Sequence, residues 1–147
     1  MWAPAGFKKR LHAAFCLPPV EGLLRRAGLK IGWVSSRPSS ATTQRARELK
    51  IDFLHQEKGS KVEAIERILA QADASWDEVC FVGDDVVDLG ALKRAGVAVA
   101  VANAIPECRA AAAYVTRAAG GHGAVREVVD LILKAQNKWD ALIEQYV

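Results

Sequence analysis

Val79-Cys80-Phe81-Val82-Gly83-Asp84-Asp85-Val86-Val87-Asp88 is the stretch on which the reading of this chain turns. A short apolar run that contains β-branched and aromatic residues and ends at a glycine predicts a buried strand. Three carboxylates follow within five residues, and the pattern Leu89 to Ala95 then reads as a helix. Carboxylates crowded at the end of a strand repel one another unless a cation sits among them. Hard oxygen ligands of this kind suit Mg²⁺. One aspartate would be explained as a helix cap; three at one strand end exceed that need.

Outward from this point the chain alternates helix and strand. On the N-terminal side the expected elements are a helix through Val20 to Ala27 stopped by Gly28, a strand Leu29–Val34 running into Ser35-Ser36-Arg37-Pro38, and a helix Ser40–Leu49 capped by Ser39 or Ser40. A short strand Ile51–Leu54 and a helix Lys61–Gln71 with Val62, Ile65, Ile68 and Leu69 on one face come next. Beyond the acidic stretch lie a strand Val97–Val101, a short helix Pro106–Ala112, a strand Tyr114–Thr116, a loop Gly120–Gly123 and one long helix Ala124–Tyr146. Residues 1–16 show no clear pattern. Strands and helices in this alternation imply a parallel α/β sheet covered on both faces, whose sites lie at the C-terminal strand ends.

The composition of the 147 residues fits one domain: 51% hydrophobic and 25% charged residues describe a globular chain and exclude disorder. A net charge of +3, with basic residues scattered over helix faces, gives no nucleic-acid footprint and weakly favours a small anionic ligand. Cys16, Cys80 and Cys108 are widely spaced and form no zinc pattern. They suit a reducing, cytoplasmic setting. No apolar run approaches the ~20 residues of a membrane span, and Met1–Gly6 lacks the apolar core of a signal peptide.

Three strand ends carry candidate chemistry. Asp84, Asp85 and Asp88 are candidate metal ligands, with Asp84 nearest the strand. Ser35 and the N–H groups that follow, including that of Ser36, can hold a phosphate oxygen, or Ser35 is a turn residue. Lys61 opens a helix, where a cation is disfavoured by the helix dipole, so it either has an anionic partner or is a solvated surface residue. The Gly120-Gly121-His122-Gly123 loop precedes a helix and either approaches an anion or only connects.

Taken in order, Ser35, Lys61 and Gly83-Asp84-Asp85-Val86-Val87-Asp88 resemble the second, third and fourth motifs of the haloacid dehalogenase superfamily of Mg²⁺-dependent phosphohydrolases. Val99-Ala100-Val101-Ala102-Asn103-Ala104, Ala111–Thr116, Gly120–Glu127 and Ile132–Gln136 resemble one branch, the 3-deoxy-D-manno-octulosonate 8-phosphate phosphatases. Asn103 stands where many of that branch have Asp. The resemblance implies a Rossmann-like, three-layer parallel sheet without a cap domain, spanning 1–147. It implies hydrolysis of a sugar-acid phosphate in lipopolysaccharide precursor synthesis, with Mg²⁺ at Asp84, with Asp85 and Asp88 supporting it or orienting Lys61, and with phosphate at Ser35, Ser36 and Lys61. It also implies a homotetramer in which the Gly120–Gly123 loop closes over a neighbour's site.

The family's first motif is a DxD at the end of the central strand, whose first Asp attacks phosphorus. The first Asp of this chain is Asp52. The expectation is therefore an N-terminally incomplete domain lacking that strand and its acids, unless Leu11–Leu17 fills the slot, and with little or no turnover. A different class of function is a non-catalytic oligomerisation domain, like the phosphatase-like domains attached to some sugar-nucleotide synthetases.

Overall fold

The computed structural model describes the backbone of residues 12–14 and the whole of residues 20–147. Strands β1 (His12–Ala14), β2 (Lys30–Ser35), β3 (Phe53–Gln56), β4 (Val79–Gly83), β5 (Val97–Ala100) and β6 (Tyr114–Val115) form one parallel sheet in the order β3-β2-β1-β4-β5-β6. The helices are α1 (Val20–Arg26), α2 (Ser40–Glu48), α3 (Lys61–Ala72), α4 (Leu89–Leu92), α5 (Pro106–Ala111), α6 (Ala124–Ala135) and α7 (Trp139–Ile143). They sort into two groups on the two faces of the sheet: α3 packs on α4 and α4 on α5, while α1 packs on α6 and α6 on α7. Every residue of β4 and β5 is buried, as a strand covered on both faces requires. Leu24, Ile31, Phe81, Leu92, Val99 and Ile132 are among the fully enclosed side chains of the core. Among the described residues no helix is long and apolar enough to cross a membrane.

The expectation of a missing central strand is corrected. β1 lies between β2 and β4, with His12 opposite both Lys30 and Val79 and Ala13 opposite Ile31 and Cys80. An empty slot there would leave two rows of buried amides and carbonyls unpaired, at about 1–3 kcal/mol for each group. The apolar stretch that begins at Leu11 contains the strand that takes the place. It is short: Trp33–Ser35 and Phe81–Gly83 have their ladder partners on the outer sides, in β3 and β5. Residues 15–19 lie outside the described residues.

Four of the described helices end on a left-handed residue, Asp73 (φ 50°) after α3 among them, and after α1, α2 and α6 two amides reach back to two separate carbonyls. After α1 the turning residue is Gly28 (φ 77°), with Gly28 N donating to Arg25 O (3.0 Å) and Leu29 N to Leu24 O (2.9 Å). After α2 it is Lys50 (φ 54°), and after α6 it is Asn137 (φ 55°). Two sequence expectations fail at these closures. The long helix to Tyr146 is broken, because Asn137 N bonds Lys134 O (3.0 Å) and Lys138 N bonds Leu133 O (2.9 Å), so that α7 starts in a new direction. Strand β3 starts at Phe53 and not Ile51, because Ile51 N closes α2 onto Ala46 O (2.9 Å). Asp52 then meets β2 twice, its N donating to Ile31 O at 3.1 Å and its carboxylate accepting from Ile31 N at 2.9 Å. The expected cap of α2 is present: Ser39 Oγ accepts from Thr42 N at 3.2 Å.

Candidate active site

The apolar strand β4 delivers Asp84 to the C-terminal edge of the sheet, and Gly83 lets the chain fold back on itself there. A side chain at Gly83 would have its Cβ 2.7 Å from Asp88 Cβ, closer than such atoms approach, so only glycine allows Asp88 to pack beneath the strand end. The three aspartates then divide. Asp85 opens the 3₁₀ turn Val86–Asp88, its Oδ1 accepting from Val86 N at 2.7 Å. Asp88, only 2% exposed, uses Oδ2 to accept from Asp84 N (2.9 Å) and Asp85 N (3.2 Å), and Oδ1 to accept from Lys61 Nζ (2.6 Å). Asp84 carries the carboxylate left facing the cavity.

The expected set of three metal-ligating aspartates is therefore not assembled. Among the described residues no group of three or more His, Cys, Asp or Glu side chains is placed to hold a metal ion. Asp85 works as a cap, and both oxygens of Asp88 are engaged with Lys61 and the backbone.

Lys61 begins α3 and its ammonium is nearly enclosed. The anionic partner that its position at a helix N-terminus demands is Asp88. Burial, then the charge of Asp88, and further the charge of Asp85 push the Asp84 carboxyl up from its ordinary range, against the pull of Lys61. The backbone of the acidic turn is braced by α5: Ile105 N donates to Asp84 O (3.0 Å), and the Cys108 thiol donates to Asp85 O (3.1 Å).

Lys61, Gly83, Asp84, Asp88, Gly120 and Gly121 line a cavity of about 230 Å³. The glycine loop, far away in sequence, thus forms part of the wall around the acidic turn. Its supports are side chains to which sequence reasoning gave no role. Asn103 Oδ1 accepts from Gly120 N at 2.7 Å. The buried Thr116 hydroxyl donates to Ala118 O at 2.6 Å and accepts from Ala102 N at 3.1 Å. Glu127 accepts from the Tyr114 hydroxyl (2.6 Å), from Arg117 N (3.0 and 3.1 Å) and from Ala118 N (3.1 Å). A carboxylate in the first turn after a glycine loop was the available signal, but a glutamate there is equally well explained by the dipole.

Ser35 and Ser36 lie at or just beyond the end of β2, at the same edge of the parallel sheet, and neither lines this cavity. The Ser35 hydroxyl accepts from Arg37 N (3.1 Å) and donates to Arg37 O (3.2 Å), so it is turned onto its own loop.

Residues 34–128 match the model of the haloacid dehalogenase-like hydrolases. The chain is 39% identical over 110 residues to the 3-deoxy-D-manno-octulosonate 8-phosphate phosphatase KdsC of Yersinia pestis, covering 75% of this chain and 59% of that protein. The Escherichia coli KdsC is 38% identical over 112 residues, 76% of this chain and 60% of its own. The match thus spans about 60% of the length of these curated relatives. Among solved structures, the 3-deoxy-D-manno-octulosonate 8-phosphate phosphatase of Moraxella catarrhalis, in complex with a magnesium ion, a phosphate ion and a KDO molecule, superposes with a TM-score of 0.88 at 28% identity, over 97% of this chain and 96% of that one. A probable YrbI family phosphatase of Pseudomonas syringae gives 0.87 at 28% identity, over 96% and 94%. The parallel sheet, the acidic turn bound to Lys61 and the matched segment agree: this chain belongs to the haloacid dehalogenase-like hydrolase family.

Proposed function

We propose that this chain is a phosphomonoester-binding domain built for a sugar-acid phosphate of the 3-deoxy-D-manno-octulosonate 8-phosphate kind, as used in making lipopolysaccharide precursors. The observation that carries the reading is the Lys61–Asp88 pair beside Asp84 on the wall of one cavity. Held by Asp88, Lys61 is a fixed positive charge for a phosphate oxygen. Ser35, Ser36 and the amides beyond them are the second part of the phosphate site; a bound phosphate draws the Ser35 hydroxyl off its own loop.

Mg²⁺ fits the donor chemistry at Asp84, a hard oxygen ligand whose proton affinity is raised by burial and by its carboxylate neighbours. Asp84 is the direct ligand; Asp85 and Asp88 serve by fixing the turn and Lys61. Bound there, the ion supplies charge neutralisation for the phosphate. The chain's own residues orient the phosphate.

In the family this chain resembles, the nucleophile that attacks phosphorus is an aspartate, and the sequence has no Asp before Asp52. The chain therefore binds and does not turn over, or turns over weakly, in a cytoplasmic homo-oligomer. The same observation favours a second reading, a non-catalytic oligomerisation domain. Binding of inorganic phosphate and of the sugar-acid phosphate with Mg²⁺, followed by calorimetry on the chain and on Lys61→Ala, tests the proposal. Phosphate binding that needs Lys61 supports it, and no binding overturns it in favour of the second reading. Robust Mg²⁺-dependent phosphate release, lost in Asp84→Ala, would overturn the inactivity.

A further inference from the structure

Gly120 and Gly121 form a wall of the cavity, although glycines without support make poor walls. Here the loop is tied at almost every step. The Glu127 carboxylate gathers the Arg117 and Ala118 amides together with the Tyr114 hydroxyl. Thr116 holds Ala118 O, and Asn103 holds Gly120 N. Glu127 is fixed in its turn by the first turn of α6, whose other face is packed in the core through Ala124, Val128 and Val129. A charged acceptor with several donors makes stronger bonds than a neutral one. The loop is thereby anchored to the helix that follows it.

We infer that Glu127 and Asn103 are positioning residues for the ligand of the Lys61–Asp84 cavity, acting through the Gly120–Gly121 wall. The inference rests on the phosphate-binding reading above and extends it to residues that do not touch the ligand. A preformed wall spares the ligand the entropy of ordering a glycine loop. The requirement at Asn103 is for an oxygen acceptor, since its partner is an N–H; Asn103→Asp therefore keeps the wall and Asn103→Ala loosens it.

The test compares the intact chain with Glu127→Gln, Tyr114→Phe, Asn103→Ala and Asn103→Asp. Inorganic phosphate is the probe, and amide hydrogen exchange over Ala118–Gly121 is the second readout. Glu127→Gln should weaken phosphate binding about tenfold, the scale of one charge-assisted bond lost, and speed exchange in the loop while the rest of the chain stays protected. Tyr114→Phe removes one donor only and should give a smaller effect in the same direction. Asn103→Asp should match the parent where Asn103→Ala does not. Asp130→Asn, on the same helix and paired outward with Arg126, should move neither readout. Parent-like phosphate affinity in both Glu127→Gln and Asn103→Ala, or unchanged loop exchange, overturns the inference. Failure of the parent itself to bind phosphate overturns the functional reading, and the inference with it.

Discussion

Asp88 and Lys61 lie far apart in the chain and meet at 2.6 Å, in a pair whose carboxylate is almost wholly buried. The pair stands because Asp88 is satisfied on both oxygens, one by the ammonium and the other by the amides of Asp84 and Asp85. A buried pair of this kind is weak evidence of net stabilisation, but removing one partner strands the other.

Asp88→Asn is thus expected to destabilise the chain by about 3–5 kcal/mol, the usual cost of breaking a buried pair from one side. Lys61→Met with Asp88→Asn should recover part of that loss, because no charge is then left unpaired. Urea denaturation of the two single variants and the double variant measures the coupling. Additive effects would show that the two groups do not depend on each other.

Glu127 gives a pH signature. Burial raises its carboxyl, but the hydrogen bonds from Tyr114, Arg117 N and Ala118 N outweigh burial and hold it below the ordinary carboxylate range. A group with a lowered folded-state pKa stabilises fully above its unfolded value, about 4.3, and loses that contribution as pH falls through the folded one. The stability gap between the parent and Glu127→Gln should therefore be constant from pH 8 to about pH 5.5 and shrink below about pH 4. Thermal unfolding across this range reads the gap, and a gap that widens in acid contradicts the assignment.

The thiols offer a third check. Burial pushes Cys80 up to about 12, and Cys108 is equally enclosed, its thiol raised by burial and by the aspartates nearby. In a Cys16→Ser background the native chain should resist a thiolate-selective reagent at pH 8, and two thiols should react once it is unfolded. Rapid native labelling would mean that the acidic turn opens readily, because Cys108 is bonded to Asp85 O.

How much of this was readable beforehand follows from the range over which each feature is determined. Strand β4 and the acidic turn are local: an apolar run, a glycine and three acids suffice. That Asp88 would tuck beneath the strand end depends on Gly83 having no side chain, a contact between two residues of a tight turn that spacing alone does not reveal. The break after α6 rests on Asn137 adopting a left-handed conformation, which Asn tolerates but does not demand. Lys50 in the same role carries still less signal. The anchoring of the glycine loop by Glu127, Thr116 and Asn103 is tertiary, and only the fold brings those side chains to it. Ser35 ends its strand as the apolar run predicts, and in the structure its hydroxyl is occupied by Arg37.

Strand β1 has a further consequence. Backbone ladders join β3 to β2 on one side and β4 to β5 and β6 on the other, and His12–Ala14 is the segment that stitches these halves together. The sheet is therefore two modules riveted along three residues. Its completion requires the start of the chain to meet Val79 and Cys80 from the middle of the chain, a long-range pairing of the kind that slows folding. A protease cut just after Ala14 would turn the rivet into a separable peptide, and the two modules would then be joined through the α3 connection and side-chain packing, with no backbone ladder between them.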